Sequence, residues 1–392
     1  MTKRFIFLNS HPIQYFAPMY QEMAEDESLD VTVLYCSRQS AEVKLDRQFG
    51  VNVAWDIPLL EGYNHVFLKN HAPWPSIYSF WGLQNWGLIR HLWKAPKSVL
   101  VVNGWQFLIN IVAIVAGKAL GHTVCLRGES PIRLETTRSP RALFFRKIAL
   151  GKILFRFVDF FLFLGQQNKK FYHLYGINDA QLIPSPYSVD NRRFREYQPA
   201  NETEKAETRR TLNLPADKVL ILFSGKYMPK KHPMDLLRAS LQLPEDKCAI
   251  IMMGEGELRP EMEQFIRYHK RNNIVLTGFI NQADIPRYYA AADIFVMCSD
   301  AFETWGLSVN EAMNLALPLV LSGETGCSED LVRKGENGFT YPLGNVDVLA
   351  EKLQLLVANA ELRQKMGEQS LRIVETYSYE QVISHLKTIP HA

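Results

Sequence analysis

Two glutamates, Glu303 and Glu311, stand eight positions apart in the stretch AFETWGLSVNEA, residues 301–312. A Trp-Gly-Leu-Ser step between them leads into a segment with helical apolar spacing. A helix N-terminus is an anion site, because its first N–H groups lack intrahelical acceptors and its dipole favours negative charge. A glycine just ahead of it lets a phosphate approach the backbone. Gly306, Leu307 and Ser308 have the placement to cradle a phosphate, and the flanking carboxylates can accept hydrogen bonds from hydroxyl groups. A phosphate with hydroxyls on both sides is the pattern of a nucleotide sugar. The same spacing has a plainer reading. Ser308 and Glu311 stand three apart before an apolar run, as in a capping box, with Glu303 then only a loop charge.

Further candidates lie near the ends of other apolar runs. FSGKYMPKKHP places Gly225, Lys226 and Lys231 after the run VLILFSG. Two lysines five apart in such a loop can address one diphosphate, or simply be solvated. LTGFINQADIP gives a glycine turn at Gly278, where the backbone at Phe279 and Ile280 can read a base. GEGELRP (254–260) is a further glycine-rich turn into a helix.

The elements that must position these groups are legible as alternation. VLILFSG (219–225), CAIIMMG (248–254), NIVLTGF (273–279), DIFVMCS (293–299) and LPLVLSG (317–323) are short apolar runs separated by helical patterns. RFIFLN (4–9), VTVLYC (31–36), SVLVVN (98–103), TVCLRG (123–128) and FFLFLG (160–165) repeat the theme earlier in the chain. Such runs suit strands buried on both faces of a parallel sheet. A polar stretch, REYQPANETEKAETRR (195–210), reads as a linker running into a helix. The expected fold class is α/β, with two doubly wound Rossmann-like domains facing across a cleft. The expected boundaries are 1–195, 196–375 and a C-terminal helix at 376–392 packing back toward the N-terminal domain. Ligands of such sheets bind at strand carboxyl ends, so the expected site is that cleft.

At 392 residues, 47% hydrophobic and 22% charged, the chain is an ordinary globular one with room for two cores. Its 44 Lys and Arg against 41 Asp and Glu exclude a global nucleic-acid binder. Five scattered cysteines without a C-x-x-C pair argue against a disulfide framework or a zinc site and fit a reducing cytoplasm. The start, MTKRFIFLNSHP, has too short an apolar run for a signal peptide. No stretch reaches the roughly 20 apolar residues of a membrane span.

The second half resembles the donor domain of the retaining glycosyltransferases of family four, which have the GT-B fold. The resemblance rests on Glu303 and Glu311 as an E-x7-E motif and on Gly225, Lys226 and Lys231 as a glycine-then-basic loop. The strings GEGE, LTGFI, EAMNLALPLV, GCSEDLV and ENGFTYP fit in order and spacing. It covers about residues 218–390, with a weaker match at HLYGINDAQLIPSPYSVDNRRF (173–194). It implies transfer of a sugar from a nucleoside diphosphate, UDP- or GDP-linked, to an acceptor hydroxyl with retained configuration. Glu303 would lie by the sugar, Gly306 to Ser308 by the diphosphate and Glu311 by the ribose, with Lys226 and Lys231 stabilising the leaving phosphate. Glu303 and Lys231 are expected at an exposed cleft rim. Many members have Arg at the position of Lys226, whose ammonium lacks the guanidinium fork. The family's glycine-bearing first loop here carries His11 and Pro12, and its mid-domain histidine is replaced by LRGESP. His11, Arg127 and Glu129 are therefore the acceptor-side candidates. The chain contains no D-x-D, so no metal or other cofactor is expected. A nucleotide-sugar epimerase or hydrolase, or a non-catalytic binding subunit, would share the same donor grip.

Two further features bear on the acceptor, a carbohydrate or a lipid-linked one. Trp74, Trp81, Trp86, Trp93 and Trp105 crowd into 32 positions. They read either as core filling under a long connection or as a sugar-stacking or lipid-contacting face. Between Thr136 and Val158 stand Arg138, Arg141, Arg146, Lys147, Lys152 and Arg156, with no acid and many aromatics. One helix over 138–156, apolar with a wholly cationic remainder, would attach peripherally to an anionic inner leaflet. A solvated core helix is the alternative.

Overall fold

The computed structural model describes residues 2–39, 44–46, 51–53 and 55–390. The chain divides into two compact units. One comprises Met1–Lys44, Ile57–Tyr187 and Tyr379–Ala392; the other comprises Leu45–Asp56 and Ser188–Ser378.

The first unit is built on a seven-stranded parallel sheet. Its strands are β1 (Lys3–Asn9), β2 (Leu29–Tyr35), β5 (Asn64–Phe67), β6 (Val99–Asn103), β7 (Thr123–Arg127), β8 (Phe160–Phe163) and β9 (Leu182–Pro184). The order is β5-β2-β1-β6-β7-β8-β9. The short strands β3 (Lys44–Asp46) and β4 (Val51–Val53) form a separate pair. The second unit carries β10 (Val219–Ser224), β11 (Cys248–Met253), β12 (Ile274–Gly278), β13 (Ile294–Met297), β14 (Leu319–Ser322) and β15 (Gly338–Tyr341). They are parallel, in the order β12-β11-β10-β13-β14-β15. The central strands are buried on both faces; all six residues of β11 are. Helices cover them, as a parallel sheet requires.

Local chemistry sets where helices begin. Asn201, Asn345 and Asn359 each accept a hydrogen bond from the third backbone N–H beyond them. The helices Pro233–Ser240 and Arg259–Tyr268 have proline in their first turn, where its missing N–H costs nothing.

In both sheets the chain winds outward from one strand, then returns to that strand's other side. These reversal points lie between β1 and β6 and between β10 and β13. Crevices beyond the strand carboxyl ends open there.

Candidate functional site

The loops after β10 and β13 flank the reversal point of the second sheet, and an ion pair between two of the donor-side candidates joins them. Lys231 and Glu303 form an ion pair, and only 14% of each side chain is exposed. That corrects the expectation of two independent, exposed rim residues. Asp300 N donates to Lys230 O at 2.9 Å, tying the two loops by backbone as well. Lys226 leads the first loop, half-buried, with its carbonyl accepting from Met228 N at 3.0 Å.

The glycine-rich turn after β11 packs on the loop after β10. Gly225 N donates to Met253 O at 3.0 Å and Tyr227 N to Glu255 O at 2.9 Å. A Cβ on Gly254 would stand 2.0 Å from Gly225 O, so only glycine permits this approach. Gly254 N in turn donates to Gly278 O at 3.1 Å, which brings in the end of β12. Phe279 and Ile280 follow, half-buried, with Phe279 near the Trp55 ring at 6.4 Å.

Gly306 caps the helix Leu307–Asn314 with φ 101°, a left-handed backbone, and a Cβ there would lie 2.8 Å from Met297 Sδ. The capping-box reading is therefore corrected: the cap is Gly306, and Ser308 is already the second residue of the helix. Leu307 and Ser308 are half-buried, and their N–H groups belong to the turn that has no intrahelical acceptors. Glu311 is 2% exposed and accepts from the Tyr289 hydroxyl at 2.7 Å. Trp305 is buried and donates Nε1–H to Asn310 at 2.8 Å, a role in packing.

Sequence reasoning missed the contribution of the loop after β14. Gly326 N donates to Glu303 O at 3.0 Å, and a Cβ on Gly326 would meet Thr304 O at 2.2 Å. This loop thus fixes the backbone of Glu303. The signal available was the glycine in GCSEDLV. His232 was also missed. It stands at 3.8 Å from Asp300 and 3.7 Å from Asp235, between the Lys231 loop and the loop after β13.

The acceptor-side candidates lie in the first unit. Arg127 ends β7, is 6% exposed and reaches Glu129 at 3.2 Å. Its guanidinium lies over the rings of Phe16 and Tyr187, at 4.8 and 4.4 Å. The Tyr187 hydroxyl donates to Glu129. Arg127 is thus largely a packed framework that orients Glu129, whose side chain is 44% exposed. His11 follows β1 with Nδ1 at 2.8 Å from Ser10 Oγ. Burial pushes its pKa down to about 4, so it is neutral at neutral pH and able to accept a proton only weakly. Asn9 and Asn103, the last residues of β1 and β6, hydrogen-bond across the reversal point of this sheet. Each apolar run ended in Asn, which was the sequence signal for this pair.

The tryptophan cluster is not core filling. Trp74, Trp81, Trp86 and Trp93 are exposed, and only Trp105 packs inward, on Phe155 and Phe171. Residues 138–156 are not one helix. A helix Pro140–Arg146 passes into a π-helix Lys147–Leu154 and a 3-10 turn, Phe155–Phe157. Nor is the polar remainder wholly free cation. Arg138 and Arg146 both pair at 3.2 Å with Glu135, which lies just outside the stretch and is 1% exposed. Among the described residues no helix is long and apolar enough to cross a membrane. Among them, too, no three His, Cys, Asp or Glu side chains converge as metal ligands.

Residues 204–372 match the family described as Glycosyl transferases group 1. The matched span holds all of the donor-side candidates. Among curated proteins, Spore coat protein SA of Bacillus subtilis is 27% identical over 202 residues, 48% of this chain and 53% of that protein. Alpha-D-kanosaminyltransferase of Streptomyces kanamyceticus is 26% identical over 170 residues, 43% of each. The chain spans about half the length of these relatives. Among solved structures, Anabaena Alr3699/HepE in complex with UDP superposes with TM-score 0.76, covering 99% of this chain and all of that one at 16% identity. WaaG, a glycosyltransferase involved in lipopolysaccharide biosynthesis, gives TM-score 0.65 over 97% of this chain and 99% of its own, at 14% identity. The fold is GT-B, shared with these proteins over nearly the whole chain.

Proposed function

We propose that the protein is a retaining glycosyltransferase that moves a sugar from a nucleoside-diphosphate sugar to an acceptor hydroxyl, in the synthesis of a cell-surface polysaccharide or glycolipid. The observation that carries this reading is the convergence at one reversal point of a Lys231–Glu303 pair, Lys226 and the glycine-capped helix start at Gly306. The match of residues 204–372 to the group 1 family and the UDP bound by the Anabaena neighbour support it.

In this reading the diphosphate lies against the N–H groups of Leu307 and Ser308 and draws the ammonium of Lys231 from Glu303. The freed carboxylate then accepts from a sugar hydroxyl. Before the donor arrives, each of the two charges is compensated by the other. The bond between the anomeric carbon and the diphosphate oxygen breaks, and a bond to the acceptor oxygen forms on the same face. The acceptor proton passes to the departing phosphate oxygen. Lys226, Lys231 and the helix dipole stabilise the charge that grows on that leaving group. Glu311, held by Tyr289, takes a ribose hydroxyl. The base lies against the backbone of Gly278 to Ile280. Glu129, oriented by Arg127 and Tyr187, serves the acceptor, with His11 of the same unit as a neutral partner.

The test is incubation of purified protein with labelled UDP- and GDP-sugars, with and without a membrane extract as acceptor source. Acceptor-dependent product is expected. Free altered sugar would mean an epimerase or hydrolase, and binding without turnover a non-catalytic subunit. Transfer should persist in EDTA, because lysines and backbone amides meet the diphosphate charge. Complete loss in chelator, restored by Mg²⁺ or Mn²⁺, would contradict that assignment.

The reading extends to attachment on the inner face of the membrane through residues 138–156. Phe144 and Phe145 are 61% and 68% exposed, and Arg141, Lys152 and Arg156 are exposed beside them. Replacing Arg141 and Lys152 with Glu should weaken binding to anionic vesicles.

A further inference from the structure

Residues 62–158 contain thirteen Lys and Arg and only two acids, Glu129 and Glu135, in a chain with 44 basic and 41 acidic residues overall. Both acids are already ion-paired within the first unit, to Arg127 and to Arg138 with Arg146. Those pairs occupy Arg127, Arg138 and Arg146, and Lys118 pairs with Asp159 just beyond the stretch, but the remaining basic residues still make 62–158 more cationic than the net charge of the protein indicates.

The same stretch holds its aromatics outward. Trp74 is 85% exposed, Trp93 71% and Trp81 62%. Burying apolar area of this size is favourable, so several exposed tryptophans in one short stretch call for an occupant. They are not loose. The loop that bears Trp74 and Trp81 is closed at its base by Asn70, which donates to Gly82 O at 2.9 Å and accepts from Ala72 N and Gln84 N. Asn85 then donates to Cys36 O at 2.9 Å and Leu68 O at 2.8 Å, beyond the ends of β2 and β5. The helix Gly87–Lys94 continues the surface. Leu88 and Leu92 are buried beneath it, whereas Trp86, Ile89, Arg90 and Trp93 face solvent. A cavity of about 560 Å³ lies against this helix, lined by Arg90, His91, Lys94, Ser98, Arg4 and Asp30. The helix packs on Leu108–Ala119, which packs in turn on the turn Phe155–Phe157.

We propose that the loop 70–85 and the outer face of helix Gly87–Lys94 form a docking surface for an anionic lipid bilayer. The tryptophans enter the interfacial layer, and Arg90 and Lys94 meet the lipid phosphates at the mouth of the cavity. Tryptophan favours that layer because its ring is apolar and its N–H finds a partner at headgroup depth. Lysine and arginine add attraction to anionic headgroups. A second copy of the chain fits less well, because two such faces would oppose like charges. The proposal goes beyond the attachment through residues 138–156, on which it partly rests, by assigning the inserting part to a different element.

The test uses the full chain with vesicles of phosphatidylglycerol or phosphatidylcholine at low salt, read by co-sedimentation and by quenching of tryptophan emission with brominated lipid. The parent should bind the anionic vesicles, show quenching, and release in high salt. Trp74→Ser, Trp81→Ser and Trp93→Ser together should lower affinity at least about tenfold while leaving circular dichroism unchanged. Arg90→Glu with Lys94→Glu should remove the preference for anionic lipid. Arg141→Glu with Lys152→Glu should weaken binding but leave the bound fraction quenched. If the triple tryptophan variant bound like the parent while the Arg141 and Lys152 variant did not, residues 138–156 would be the anchor and this proposal would fail. Indifference to both vesicle types would overturn it as well. So would a lipid-free dimer, seen by sedimentation velocity, that the tryptophan substitutions dissociate.

Discussion

Replacing either Glu303 or Lys231 with alanine is expected to lower sugar transfer by roughly 100-fold or more, the scale seen when a preorganised charge stabiliser is lost from an active site. The structure adds a second consequence. The two side chains are paired with one another and mostly buried, so each single alanine leaves its partner's charge uncompensated. Each single variant should therefore be less stable than the parent, whereas the double variant should regain part of that loss. A double-mutant cycle by thermal unfolding measures the coupling, and initial rates under saturating donor measure the chemistry. Near-normal transfer in both single variants would remove the pair from the site. Additive stability losses would remove the pairing.

The largest effect on folding is expected at Asp293, remote from this chemistry in function but not in chain. Asp293 opens the turn into β13 and is only 13% exposed at its side chain. Its carboxylate meets Lys205 at 2.5 Å and Arg209 at 2.6 Å, and accepts from Leu220 N at 2.7 Å. It thereby fastens the helix Glu202–Thr211 to the strands β10 and β13 that frame the reversal point. Burial alone would raise its pKa, but the charges of Lys205 and Arg209 outweigh burial and hold it below the ordinary carboxylate value. A carboxyl group with a depressed folded-state pKa stabilises fully above its unfolded pKa, near 4. That contribution fades as pH falls through the lower folded value. Asp293→Asn, which strands two buried cations, should cost about 3 kcal/mol at pH 7. The parent and the variant should converge in stability as the pH drops below 4. Urea unfolding at pH 7 and at pH 3 checks both statements. An asparagine variant as stable as the parent at pH 7 would contradict the first, and an equal gap at both pH values the second.

How far the fold could be read from sequence depended on where each strand lies in its sheet. The strands β1, β2, β6, β7 and β8, and β10 through β14, are interior or apolar enough to stand out as runs of Val, Ile, Leu and Phe. β5, β9 and β15 lie at sheet edges and escaped notice. An edge strand packs on one neighbour only, so NHVF, LIP and GFTY need no continuous apolar run. β12 is also an edge, but its NIVLTGF run is apolar enough to have been seen.

The candidate site was legible in its residues but not in their pairing. Glu303 and Lys231 are 72 positions apart, and nothing local says that the loops after β10 and β13 adjoin. That follows from the reversal of strand order, a property of the whole sheet. The spacing of Ser308 and Glu311 misled for a related reason. Capping depends on the backbone at one residue, and the left-handed Gly306 had already started the helix two positions earlier. The exposed tryptophans were ambiguous because composition cannot tell which side of a loop faces water. Asn70 and Asn85, which set that side, carry no sequence signature of doing so.

Calorimetric titration of UDP and GDP into the parent protein, the Lys231→Ala variant and a Gly306→Val variant tests the donor site most directly. A side chain at Gly306 meets Met297 and cannot adopt the left-handed backbone without strain, so this change alters the helix start itself. The account predicts that one nucleotide binds the parent without added metal. It predicts that Lys231→Ala weakens that binding at least tenfold, and that Gly306→Val abolishes it while circular dichroism still reports a folded chain. Absence of binding by either nucleotide, or unchanged affinity in two folded variants, would contradict a donor site at the reversal point between β10 and β13.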